Sequence, residues 1–400
     1  MPCLDGDFIE KTGGHWSDVV LLFAVAAASA GQSAILAFLP TLVNGGLGAL
    51  SAESHNVHIA SLTATHPLAA LLAAPLWGWL AERFDYRILL RAGLIVLAFA
   101  MAPVGIVSLQ SLYLLRIFAG IATAAIVPLA LLAATFAAKD RTEQATRFTW
   151  LTGFVFVGEI VGPLLAEGSS SVFPETPLLI VALAIALIFF GLCAVHLPAR
   201  CAPCPDIHPR AAPPLSVTAI ILAMALIGSA GLSSLHVNLL LTRAEAALSR
   251  ETIALMLSLC GLGMLGAQLF HARTSWLVQH PRRLACLSLL LLAITLIVFP
   301  LHSGITVLGG VIVTAGWSAA SIRLLTGFWV SGSGAPSSSK LGFQYAAASV
   351  GQAVAPVFFA VTAAQDRSLV LWSMAALLVL LLLALPLLWK PPLARATVTV

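Results

Sequence analysis

Long apolar runs recur along the whole chain and constrain its fold more than any other feature. Each run ends at charged residues or at clusters of Pro, Gly or Ser. The first half of the chain has runs at about 19–43, 57–80, 88–108, 111–137, 148–167 and 177–197. The second half has runs at about 216–241, 252–270, 284–301, 304–325, 341–364 and 369–389. Because a membrane-spanning helix needs roughly 20 apolar residues, the sequence predicts an all-α membrane protein that crosses the bilayer about twelve times.

The low content of charged residues excludes a soluble globular protein. Only 9% of the 400 residues are charged, whereas about a quarter of a typical soluble domain is charged. The net charge of +4 is small, so no nucleic-acid partner is implied. The six cysteines are scattered and show no disulfide or metal-ligand pattern. We expect the protein to be surrounded by the lipid bilayer. We expect it to bind no cofactor.

The distribution of Lys and Arg predicts the orientation, because cytoplasmic loops collect these residues. If the N-terminus is inside, most of the twenty Lys and Arg residues fall in cytoplasmic segments, including Arg323 and Lys340 in the loop after the tenth run. Outer segments hold Arg243, Arg250 and Arg367. Both termini, 1–18 and 390–400, are therefore predicted to be cytoplasmic.

Short sequence matches indicate that the two halves are related. SAGQSAILAFL from Ser29 to Leu39 pairs with SAGLSSLHVNL from Ser229 to Leu239, and GEIVGP from Gly158 pairs with GQAVAP from Gly351. Repeated bundles are typical of secondary transporters. We therefore predict two six-helix bundles, 19–197 and 216–389, related by pseudo-two-fold symmetry. The proline-rich segment 198–215 is predicted to be a cytoplasmic linker between them.

The loop after the second run, GWLAERFDYRILL from Gly78 to Leu90, resembles the signature loop of the major facilitator superfamily. The matching positions are Gly78, Leu80, Glu82, Arg83 and Arg87. Asp85 and Tyr86 depart from the family pattern, which has Gly and Arg there. The resemblance implies a charge network that locks the cytoplasmic side in one conformation. The alternative is that these are ordinary cytoplasmic charges.

Two further elements resemble motifs of the same family. Arg116 and Gly120 match its Arg-x-x-x-Gly element in the fourth run. Gly158, Gly162 and Pro163 in the fifth run match the Gly-Pro motif of its antiporters, in which the two glycines allow close helix packing and the proline favours a kink. The Gly pair that follows in the family is absent here. The resemblance implies a drug or siderophore:proton antiporter.

Charged residues inside the predicted spans are the candidates for proton coupling. Glu159 lies near the middle of the fifth run, where a carboxyl group is either neutral or paired with a cation, and either state suits a proton carrier. Arg116 is a possible partner of Glu159. The alternatives are that Glu159 is satisfied by a hydroxyl or backbone group, and that Arg116 extends to the outer membrane interface.

Polar residues at helical spacing in the first and seventh runs are candidates for the wall of a substrate cavity. The predicted set, together with Gln352 opposite Glu159 in the repeat, is Gln32, Ser33, Ser233, His236, Asn238 and Gln352. The alternative interpretation is that these side chains form hydrogen bonds between neighbouring helices.

These features together predict a transporter. We expect a monomer in a bacterial inner membrane that exports a small molecule by alternating access, with protons as the coupling partner. One alternative is an importer or uniporter of a metabolite on the same fold. Others are a sensor without transport, and a membrane-embedded enzyme that would bring His66, His236 and Glu159 to one metal ion.

Overall fold

The computed structural model describes residues 7–47, 52–103, 108–138, 140–172, 178–193, 215–244, 250–301, 304–331, 338–361 and 367–388. Within these ranges the chain is helical, with thirteen α-helices. Those of the first half are α1 (Asp7–Leu47), α2 (Ala52–Arg83), α3 (Tyr86–Met101), α4 (Leu109–Ala137), α5 (Arg141–Val172) and α6 (Leu178–Cys193). Those of the second half are α7 (Leu215–Ala244), α8 (Arg250–Arg273), α9 (Trp276–Gln279), α10 (Pro281–Val298), α11 (Ile305–Ser331), α12 (Ser338–Val361) and α13 (Arg367–Leu388).

The expectation of an all-helical membrane protein is confirmed. Each predicted apolar run coincides with a helix, and within the described ranges eight helices are long and apolar enough to cross a membrane. The four-residue helix α9 was not predicted. Most of the proposed linker 198–215 and all of 390–400 lie outside the described residues, so the domain boundaries remain predictions.

The end of α11 differs from the sequence prediction. The apolar run was expected to end at 325, but the helix continues to Ser331 because residues 326–331 include no charged residue and no proline. Arg323 therefore lies within a helix and not in a loop. The assignment of Arg323 to the loop with Lys340 was wrong.

Helix packing follows the same scheme in both halves. In the first half, α1 packs against α5 and α6, α2 against α4, and α3 against α4 and α6. In the second half, α7 packs against α12 and α13, α8 against α11, and α10 against α11 and α13. The halves meet where α2 packs along α12 and where α5 packs along α8.

Two glycines allow backbones to touch at corresponding places in the two halves. A Cβ atom on Gly158 of α5 would meet the carbonyl oxygen of Ala26 and would lie 2.7 Å from the amide nitrogen of Ala30, both in α1. A Cβ atom on Gly351 of α12 would meet the carbonyl oxygen of Leu226 and would lie 2.9 Å from the amide nitrogen of Ala230, both in α7. Small residues that let helices approach this closely are typical of membrane bundles.

Candidate functional site

A cavity of about 230 Å³ lies between the two halves of the chain. Its wall is formed by α1, α2, α4 and α5 from the first half and by α7, α8, α11 and α12 from the second. Much of the wall is apolar, including Leu36, Phe156, Leu232 and Met264. The few polar and charged side chains in the wall therefore determine what it can recognise.

Most of the residues predicted from the sequence lie in this wall. The cavity brings together Gln32, Ser33, Arg116, Glu159, Pro163, Ser233, His236 and Gln352. Asn238 is buried but is not part of the wall. The hydroxyl of Ser233 donates a 2.8 Å hydrogen bond to the backbone carbonyl of Gln352. This contact joins α7 to α12 and is the kind of interhelical bond that the alternative interpretation described.

Glu159 and Arg323 form an ion pair across the cavity. Arg323 Nη1 lies 3.6 Å from Glu159 Oε1, and both side chains are partly buried. Glu159 belongs to α5 in the first half and Arg323 to α11 in the second. The sequence reasoning considered Arg116 as the partner and missed Arg323, which it had placed in a loop.

Arg116 forms hydrogen bonds with neutral groups. The residue is only 5% exposed, so it does not extend to the membrane interface. Its Nη1 donates to Gln32 Oε1 at 3.1 Å, and its Nε donates to the backbone carbonyl of Leu62 at 3.3 Å. Arg116 is thus held by α1 and α2.

His66 is a cavity residue that the sequence analysis named only for the metalloenzyme alternative. It lies in α2, lines the cavity, and forms a 2.9 Å hydrogen bond with Thr123 Oγ1 of α4. Tyr345 of α12 also lines the cavity. The sequence signal that could have found His66 is its place in the middle of an apolar run, where a polar ring needs a partner.

The signature loop joins the two halves at one end of the bundle. The hydroxyl of Ser338, at the start of α12, donates a 2.8 Å hydrogen bond to the carbonyl of Gly78. The amide of Ser339 donates to Glu82 Oε1 at 3.3 Å. The guanidinium of Arg83 lies 4.0 Å from the centre of the Trp79 ring, a cation–π contact. Glu82 thus contacts the other half directly, whereas Arg83 packs on its own helix.

Asp85 and Tyr86, which depart from the family pattern, shape the start of α3. Asp85 is the N-cap residue, and its carboxylate accepts hydrogen bonds from the amide and the Nε of Arg87. Tyr86 is almost fully buried and packs near Phe136. Arg87 therefore pairs with Asp85 beside it in sequence.

Two more hydrogen bonds cross between the halves toward the end of the bundle that carries Arg83. Gln144 near the start of α5 donates to Ser331 Oγ at the end of α11, at 3.2 Å. Further into the bundle, Thr152 of α5 donates to Gln268 Oε1 of α8 at 2.9 Å. These contacts, together with Gly78 and Ser338, close the bundle at this end.

The described residues hold no group of three His, Cys, Asp or Glu side chains that could bind a metal ion. His66, His236 and Glu159 all line the cavity, but they do not form such a group. The geometry therefore gives no support to the metalloenzyme alternative.

Comparison with known proteins agrees with this architecture. The human organic anion transporter MFSD10 (TETRAN), known from a crystal structure, matches with a TM-score of 0.78 over 92% of this chain and 98% of its own, at 17% sequence identity. At that identity the likeness establishes a shared fold. No curated protein sequence matches the chain. The sequence model of the Major Facilitator Superfamily matches residues 21–242. Because this match covers more than half of the chain, the protein belongs to the Major Facilitator Superfamily of transporters.

Proposed function

We propose that this transporter exports a small molecule across a bacterial inner membrane by alternating access, in exchange for protons. Its twelve long helices would form two six-helix bundles related by pseudo-two-fold symmetry, with both termini in the cytoplasm. The matching helix partners in the two halves and the equivalent contacts of Gly158 and Gly351 support this symmetry. The bias of Lys and Arg supports the orientation.

The ion pair between Glu159 and Arg323 carries the proposal. The pair connects α5 to α11 across the cavity, and so it connects the two halves. A proton bound to Glu159 removes the negative charge and with it the attraction to Arg323. Binding and release of one proton would therefore change how strongly the halves are held together, which is what proton coupling requires.

The contacts at one end support a conformation that is closed toward the cytoplasm. Under the proposed orientation, Gly78, Ser338, Gln144 and Ser331 lie at the cytoplasmic end. Delivery of a solute from the cytoplasm then requires that these hydrogen bonds break. Their modest strength, roughly 0.5–1.5 kcal/mol each, is compatible with repeated opening.

The test begins with the identification of the cargo. Metabolites are compared between cells with and without the protein, and the cargo is the compound whose intracellular pool falls when the protein is present. Uptake of that compound is then measured in inverted membrane vesicles with an acidic interior. We expect the wild-type protein to accumulate it, and Glu159→Gln to lose the dependence on the proton gradient while it retains exchange of labelled for unlabelled compound.

Glu143→Gln is the matched control. Glu143 lies on the same helix, outside the cavity wall, and pairs with Arg147 four residues later at 3.0 Å. It should leave proton-driven uptake unchanged. Full coupling in Glu159→Gln would overturn the proton-carrier role, and uptake indifferent to the gradient in the wild-type protein would favour a uniporter.

A further inference from the structure

The cavity wall carries more positive than negative charge. Among its described residues it has two arginines, Arg116 and Arg323, and one carboxylate, that of Glu159. Glu159 lies against Arg323. Among the described residues, Arg116 donates hydrogen bonds to neutral oxygens only, those of Gln32 and Leu62. An arginine that is buried in this way, with no carboxylate of the described residues against it, is costly because burial removes most of the solvent that would stabilise its charge.

The group next to Arg116 adds a free hydrogen-bond donor. Gln32 uses its side-chain oxygen to accept from Arg116, because a guanidinium can only donate. The amide nitrogen of Gln32 is therefore the remaining donor; it is buried, and no described residue accepts a hydrogen bond from it. A buried donor without a partner costs free energy unless a ligand satisfies it. Arg116 and Gln32 thus place a full charge and an unused donor side by side.

We propose that the transported solute is a small organic acid whose oxyanion binds to Arg116 and to the amide nitrogen of Gln32. This inference rests on the proposed transport function and names its substrate class. Arginine suits this role because its planar guanidinium binds a carboxylate through charge-assisted hydrogen bonds. The apolar wall around Phe156 and Leu232 would hold the carbon skeleton. In this proposal Arg116 binds the solute, and Glu159 binds and releases the proton.

Size supports the same class of compound. The cavity of about 230 Å³ is smaller than the roughly 300–1,000 Å³ typical of sites for drug-sized ligands. A compact acid fits this volume better than a large siderophore does. The oxyanion could belong to a carboxylate or to a sulfonate. A binding experiment with probes of both kinds distinguishes them.

The test is equilibrium binding to purified protein in detergent, without a proton gradient. The probes are benzoate, phenylacetate and hexanoate, each paired with its neutral amide, and benzenesulfonate paired with its sulfonamide. We expect at least one acid to bind about tenfold or more tightly than its amide, since charge-assisted hydrogen bonds are roughly twice as strong as neutral ones. Equal binding of acid and amide, or no binding of any acid, would overturn the inference.

Substitutions locate the site. Arg116→Gln should abolish the preference for the acid, and Arg116→Lys should retain part of it. Arg147→Gln removes the same charge from a residue that does not line the cavity, so it should leave the preference intact. An Arg116→Gln protein that folds and still prefers acids would contradict the assignment.

Gln32→Glu is a second variant that tests the same anion site, and it is needed if Arg116→Gln does not fold. A carboxylate at this position would lie beside Arg116 and take the place of the bound oxyanion. The variant should unfold at a higher temperature than the wild-type protein and should lose the preference for acids. Retained acid binding in Gln32→Glu would overturn the inference. Because binding is measured at equilibrium without a proton gradient, a failure of proton coupling does not change this result, so failure of proton coupling and failure of the anion site are distinguishable.

Discussion

The hydroxyl of Ser338 in α12 donates a hydrogen bond to the carbonyl of Gly78 in α2, and this 2.8 Å contact holds the two halves together at one end of the cavity. A Cβ atom on Gly78 would lie 2.8 Å from the carbonyl oxygen of Ser338 and 2.9 Å from the Cα of Ser339. Both are backbone atoms of a helix, so they cannot move aside alone. The closure at this end therefore depends on the absence of a side chain at Gly78.

Gly78→Ala is expected to open this end of the cavity. Overpacking of this kind costs roughly 1–3 kcal/mol, which corresponds to a change of about fivefold or more in the population of the open state. The measurement is the rate at which a membrane-impermeant maleimide, applied from the side of Arg83, labels a cysteine introduced at Ser33 in the cavity wall of a protein that lacks its native cysteines.

Gly266→Ala is the control for this experiment, because a Cβ atom at Gly266 would have nothing within 4 Å. The cysteine in the Gly266→Ala protein should react with the maleimide at the wild-type rate. A Gly78→Ala protein that labels no faster than Gly266→Ala would show that the contact with Ser338 does not limit access.

Gly158→Ala and Gly351→Ala are expected to destabilise the protein by similar amounts. At both positions an added methyl group would collide with the backbone of the neighbouring helix. We expect a loss of roughly 1–3 kcal/mol for each variant, measured as the change in the free energy of unfolding in detergent. Gly310→Ala serves as the control because the space around Gly310 is open. A loss at only one of the two glycines would argue against equivalent roles in the two halves.

Asp85 is expected to stabilise the start of α3 in two separable ways. Asp85→Ala removes the N-cap, which is worth about 0.5–2 kcal/mol, whereas Asp85→Asn keeps a capping side chain and removes only the charge. The hydrogen bond from the Arg87 side chain holds the pKa of Asp85 below its ordinary value. The charge therefore stabilises the fold above the ordinary aspartate pKa, and this contribution is lost as the pH falls through the lowered pKa.

The pH dependence of unfolding tests the role of Asp85. The wild-type protein should unfold at a higher temperature than Asp85→Asn at neutral pH, and the difference should shrink below about pH 4. Asp85→Ala should remain less stable than Asp85→Asn over the whole range. A difference between wild type and Asp85→Asn that grows with acidity would contradict the assigned sign.

The sequence was sufficient to predict the helices and many of the residues in the cavity wall. Helices were predictable because each apolar run has the length that a bilayer requires. Gln32 and His236 were predictable as wall residues because polar side chains at helical spacing must share a face. The spacing of polar residues along one helix does not show how far that helix lies from its neighbours. The pairing of Arg116 with Gln32 was therefore not predicted.

Arg323 shows most clearly why part of the site was missed. Counting of positive charges treats every arginine near the end of an apolar run as a loop residue, and Arg323 lies two residues before the expected end at 325. The structure continues the helix to Ser331 and turns this arginine toward Glu159. Hydropathy cannot distinguish a charge that faces a loop from one that faces a cavity, because both are flanked by apolar residues.

The glycine contacts also determine which parts of the molecule can move. At Gly158 and Gly351 the main chain of one helix lies against the main chain of its neighbour, so we expect α1 to move together with α5, and α7 together with α12. At Gly158 and Gly351 the glycine itself has no side chain between the two helices, so no side chain there can rearrange if one helix slides along the other. Under the proposed alternating access, a covalent tether within either pair should leave transport intact, whereas a tether from α2 to α12 should stop it.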